Sequence, residues 1–383
     1  MGRAAFRGIG ALALALLMPV ACSGDGGSKG SQPRSTSTTA KAESSSSTPA
    51  TGSFAGSLLA LTTADTKNGR VQLQLVVLDD DYRGRATIDL GPPVSDADVP
   101  ARASIVADST AAWIVTSVGG RSQVRRVTPN GGTSVVNVDT ADARLAVGAG
   151  AAWVAADSSV IQLSSADGTM LASIPGSAFP SGFVARHIAV SGGRVWVASD
   201  NGALVSIDPT TRVVTPAPAV LAFCKKPAQT PEELAANERD VVRSMAAVGQ
   251  YVDVVVTDGC GPANAVVAFD PLSGARLPVA LPGPENQPQR ALAAGVRLVV
   301  ARVKSNDLVV VEPSSPVGAP IVLPDGALAE TCGAAARGVA CTSGLDEVAF
   351  VALGGSGAAA GKPTVETHRS RAIDGGALAW AVL

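Results

Sequence analysis

Residues 194–214, RVWVASDNGALVSIDPTTRVV, decide the fold. An apolar run carries one tryptophan, a turn follows at Asn201-Gly202, and a second apolar run ends at Asp208-Pro209. Short runs rich in Val and Ile, separated by turn residues, predict antiparallel strands joined by hairpins. Upstream, HIAV at 187–190 joins across a Gly-Gly turn. Downstream, RVV at 212–214 completes the unit. One unit is therefore expected to hold four short strands.

The same order recurs, which is the signature of a repeat architecture. Residues 151–170 read AAWVAADSSVIQLSSADGTM, and residues 111–133 read AAWIVTSVGGRSQVRRVTPNGGT. Six units follow one another at 102–138, 143–175, 187–214, 241–281, 290–323 and 327–367, three of them with a tryptophan at the central strand, Trp113, Trp153 and Trp196. The segment from Ser57 to Leu90 reads as a unit lacking its first strand, and RAIDGGALAWAVL at 371–383 reads as the start of one. Joined, they make a seventh. The expected fold is all-β: a seven-bladed β-propeller closed by its two ends, an arrangement that removes free sheet edges. Closure by one or two C-terminal strands stays open, because Trp380 aligns with the second-strand tryptophans while Leu58–Thr62 also suits that strand.

These units resemble the propellers of the YVTN, quinoprotein-like and streptogramin-lyase-like superfamily, whose repeats pair a Gly-Trp-Val strand with Ile-Asp-Pro-x-Thr/Ser-Gly. Trp196 with Asp208-Pro209-Thr210 carries the likeness, as does Tyr251 with Asp270-Pro271-Leu272-Ser273-Gly274; Glu312-Pro313 and Thr128-Pro129 are degenerate copies. The lyase resemblance implies a metal-assisted catalytic His, and the quinoprotein resemblance a quinone with calcium. No catalytic position of the lyases maps onto this chain residue by residue, and the vicinal Cys pair of some quinoproteins is missing while aromatics make up only 3%. Physics assigns the motif residues structural work. Asp208 and Asp270 hold turn backbone, and the tryptophans, Trp380 included, supply area for blade packing.

The N-terminal region has a different character. Arg3 and Arg7 precede an apolar stretch of 12 residues, Ile9–Val20, too short to span a bilayer and suited to a signal peptide. Ala21-Cys22 then resembles a bacterial lipoprotein cleavage site, with Pro19 where that box usually has Leu. Residues 1–21 are read as the signal and Cys22 as the lipidated residue. Residues 22–52, rich in Ser, Thr and Gly, form a disordered tether, and 53–383 the propeller. The expected location is the extracytoplasmic face of the cell membrane, held by a palmitate-type anchor. Loss of Arg3 and Arg7 with the signal takes the formal net charge from −2 to −4, since 1–21 contains no acid. No basic field invites nucleic acid. The Ala, Gly and Arg bias suits an actinobacterium.

With Cys22 lipidated, Cys224, Cys260, Cys332 and Cys341 remain, an even number suited to an oxidising compartment. Of three pairings, Cys224–Cys260 and Cys332–Cys341 are favoured; the spacings are not those of a metal site. An insertion at about 222–240 breaks the period and holds Thr230-Pro231-Glu232-Glu233, a capping box that predicts a short helix from Pro231 to about Arg239.

The search for chemistry is short. His187 begins an inner strand near a central channel, and His368 follows the seventh unit. Neither a Gly-x-Ser-x-Gly elbow nor a phosphate-cradling Gly-rich loop occurs. Asp79-Asp80-Asp81 falls where other units place their turn, and Arg121, Arg125 and Arg126 are candidates for an acidic group. No catalytic, cofactor or metal residue is assigned. The expected role is a binding scaffold for an envelope protein or glycan; the alternative is a lyase-like or quinoprotein-like enzyme with a channel active site.

Overall fold

The structure, a computed structural model, describes residues 52–66, 68–100, 102–218, 242–256, 265–282, 289–312, 319–335, 337–354, 362–373 and 377–383. The expected signal, Cys22, its tether, the capping-box helix, Cys224 and Cys260 lie outside them. Among the described residues no helix is long and apolar enough to cross a membrane.

Seven four-stranded antiparallel sheets make a seven-bladed β-propeller. Blade two, for example, runs Arg102–Ala107, Ala112–Val118, Arg121–Val127 and Thr133–Val138 from channel to rim. The inner strands of blades three to seven are Arg144–Gly148, His187–Ser191, Val242–Val248, Gln289–Ala294 and Ala327–Ala335. Blade one is composite. Its inner strand, Ala377–Val382, pairs with Leu58–Asp65, so Leu58 faces Val382 and Ala60 faces Trp380. One C-terminal strand closes the ring, and Trp380 belongs to the innermost strand rather than the second.

Burial follows position within the blade. Second strands are covered by the neighbouring blades on both faces, so they read as near-continuous apolar runs. Every residue of Ala151–Ala156 is buried, whereas the rim strand Thr364–Arg369 is almost wholly exposed. The core among the described residues divides into seven apolar clusters, one between each pair of adjacent blades. Trp113 faces blade three, Trp153 blade four and Trp196 blade five. Between blades seven and one the small Ala340 stands on the second strand, and Trp380 supplies the large ring from the opposite side. This explains why Trp380 mimics a second-strand tryptophan in sequence: at this interface the large ring comes from the innermost strand of blade one instead of the second strand of blade seven. The Trp380 indole donates to Thr342 Oγ1 at 3.0 Å, and that hydroxyl donates to Ala377 O at 2.6 Å.

Turn chemistry sets the strand ends. Gly202, at φ 86°, closes the Asn201-Gly202 turn by donating to Ser199 O. The last strand of blade four is Val214–Ala217, later than the expected 212–214. The reason is the loop before it. Asp208 Oδ1 accepts the Thr210 and Thr211 amides, Arg212 takes φ 63°, and its guanidinium donates to Gln162 Oε1 of blade three at 3.0 Å. Arg212 is thereby spent on bracing two blades.

Candidate functional site

The inner strands all start at one face of the ring, and what they start with defines that face. Val299, Asp253, Trp196 and Trp153 are each the third residue of their blade's second strand, opposite Leu292, Ala246, Ala189 and Ala146. Two residues before those partners lie Arg290, Ser244, His187 and Arg144. Arg102, Arg186 and Arg243 begin the inner strands nearby. Five consecutive blades, two to six, thus bring an arginine to one mouth of the channel. These arginines line a cavity of about 960 Å3 together with the carboxylates of Asp142, Asp200 and Glu330. The adjoining channel, about 530 Å3, is walled largely by small residues such as Ala146, Ala189, Ala246 and Ala291.

The mouth is held together by polar contacts between blades. Arg102 pairs with Asp142 at 2.5 Å. Arg186 reaches Asp157 at 2.5 Å and Asp200 at 3.4 Å, and Thr140 donates to the other oxygen of Asp157. His187, largely buried, places Nε2 3.0 Å from Asp200 Oδ1. Ser244 Oγ accepts the Ala291 amide and so joins the inner strands of blades five and six. Arg290 donates to the carbonyl oxygens of Glu330 and Cys332 in blade seven, at 3.1 and 2.9 Å. Among the described residues no carboxylate touches its charge; burial, then the field of Arg144, pull its pKa down to about 10. Arg144 opens onto the channel and donates no hydrogen bond to a described residue. The surrounding protein desolvates it and lowers its pKa despite help from Asp142.

The residues singled out in the sequence fall into two groups. His187 is at the mouth. The others among the described residues are elsewhere and have structural partners, whereas Cys22, Cys224 and Cys260 lie outside the described residues. Cys332 and Cys341 form a disulfide across the first two strands of blade seven. Asp270 Oδ1 accepts the Leu272 amide and Oδ2 the Ser273 hydroxyl. Those bonds, the hydroxyl first, hold its carboxyl below the usual range, as the Thr211 and Thr210 amides do for Asp208. Asp79 Oδ1 accepts the Asp81 and Arg83 amides, the turn expected there. Arg121 pairs with Asp139 on the surface, Arg125 donates to Gln123, and Arg126 donates to Ser165 O beside the Trp113 ring. His368 stacks on Tyr82 at 4.0 Å on the outside of the ring. The arginines of the mouth were missed. Their signal was present: units 102–138, 143–175 and 290–323 each open at or within one residue of an Arg.

No protein-family model matches the sequence, and no curated protein matches it.

Proposed function

We propose that the protein is a lipid-anchored β-propeller on the extracytoplasmic side of the cell envelope, acting as a binding module with the wide mouth of its channel as the binding face. The observation that carries this reading is the mouth itself: an open, polar concavity of about 960 Å3 to which five blades bring arginines. Concave sites with a few convergent polar groups are where ligands bind. Supporting the envelope location are the signal-like residues 1–21 with Cys22, and the Cys332–Cys341 disulfide, which suits an oxidising compartment. The repeats' likeness to the YVTN, quinoprotein-like and lyase-like propellers extends to this module as ancestry.

The test joins the two halves of the proposal. Full-length protein carrying a photo-crosslinking residue in place of Leu378, at the mouth, or of Leu171, on the exposed rim of blade three, is irradiated in intact membranes. Adducts from position 378 and none from 171 are expected. Cys22→Ser should release the protein from the membrane fraction. Equal labelling from both positions would remove the mouth as the binding face, and membrane retention of the Cys22 variant would remove the anchor.

A second reading, a channel enzyme, draws on the His187–Asp200 pair at 3.0 Å, a geometry that orients an imidazole for proton transfer. His187→Ala separates the two: a binding module keeps its crosslinks, and an enzyme binds but no longer converts what it captures.

A further inference from the structure

The inner strands of blades two to six each bring an arginine to the mouth, Arg144 and Arg290 at the same register position, and ring closure turns that recurrence into a cluster. Of the five lining arginines, Arg102, Arg186 and Arg243 have partners; the lining carboxylates are Asp142, Asp200 and Glu330. Asp142 is engaged by Arg102, and Asp200 by Arg186 and His187. Among the described residues Arg290 is held by backbone carbonyls and no carboxylate, and Arg144 by no hydrogen bond. Blades three and six stand on opposite sides of a seven-bladed ring, so these two guanidiniums address the cavity from opposite walls. Like charges that face each other across a cavity repel, and an anion between them relieves that repulsion.

We propose that the channel mouth binds a phosphate-class oxyanion between Arg144 and Arg290. This rests on the mouth being the binding face, and it names the ligand chemistry. A tetrahedral phosphate directs oxygens toward both walls and carries close to two negative charges, whereas one planar carboxylate offers a single charge and one edge. Guanidinium forks are matched to phosphate oxygens. The cavity exceeds what one phosphate fills, so the group is the charged end of a larger ester. That ester is either soluble or a lipid headgroup.

The experiment is calorimetry on the full-length protein in chloride buffer with inorganic pyrophosphate, with citrate as the carboxylate comparison. Saturable pyrophosphate binding is expected, stronger than that of citrate. Arg144→Gln should weaken it roughly tenfold or more, the loss of a hydrogen bond to a charged group. Arg144→Lys should fall between. Arg121→Gln, on a surface pair away from the mouth, should leave it unchanged. Arg144 holds no described residue in place, so its variants should keep the native melting temperature. Co-sedimentation with phosphatidic acid vesicles, lost in Arg144→Gln, would make the source a lipid headgroup; pyrophosphate binding without it would make the source a soluble ester. Absent pyrophosphate binding, citrate binding as tight, or binding indifferent to Arg144→Gln in a folded protein would each overturn the proposal. Crosslinks from position 378 would then still stand, leaving the binding module with another ligand.

Discussion

Blades four and five give the same position to opposite chemistries. Trp196 is the third residue of the second strand of blade four and faces blade five. It meets Phe269 edge to face at 5.3 Å, and its indole donates to Ser191 O at 3.2 Å. Asp253 occupies that place in blade five. By alternation along its strand it lies on the side of Val255, toward blade six, 1% exposed, with one carboxyl oxygen lacking a partner. Burial pushes its pKa up to about 7. At this position the two blades share backbone register and differ in side-chain chemistry. One interface is stapled by an aromatic, and the next carries a carboxyl that is comfortable only while protonated.

Three experiments break or sharpen this contrast. Trp196→Ala should have the largest effect, about 3–5 kcal/mol of stability from lost contacts and a cavity, read from urea midpoints. A loss under 1 kcal/mol would mean that the blade-four interface does not depend on its ring. Next comes the pH dependence. The carboxyl of the folded protein keeps its proton to about pH 7, while the unfolded chain ionises near 3.8. Between those values the folded state binds the extra proton, so stability falls as pH rises from about 4 to about 7 and levels off above. The decline assigned to Asp253 is on the order of 2–4 kcal/mol, and Asp253→Asn should flatten it. A variant that keeps the native slope would assign the slope to other groups. Smallest is the Cys332–Cys341 bond, which lies in the cluster between blades six and seven. Its reduction should cost about 2–3 kcal/mol without altering the Asp253 slope. A changed slope would show that distant interfaces are coupled.

The same contrast explains what could be read from the sequence. The blade count was legible because each second strand is buried on both faces, and a continuous apolar run between turn residues survives every substitution at a single place. Trp113, Trp153 and Trp196 marked the period. Trp380 misled for a physical reason, since packing area counts at an interface regardless of which blade donates it. Asp253 was not legible, because YVDVVV looks like an ordinary strand until hairpin register gives Asp253 the position that Trp196 holds in blade four. Arg144 and Arg290 were hidden differently. One charge at the head of a strand resembles a solvated end, and only the circular arrangement brings residues from distant units to one opening.

Closure of blade one carries a consequence for biosynthesis. Leu58–Asp65 is among the first strands made, yet its inner partner, Ala377–Val382, is made after every other strand. Until then Leu58–Asp65 keeps an open edge, and the cluster of Trp380, Ala340 and Leu58 cannot assemble. Without Ala377–Val382 the blades form an arc rather than a ring, with the edge of Leu58–Asp65 unpaired. Ring closure therefore waits on the docking of Ala377–Val382 against Leu58–Asp65.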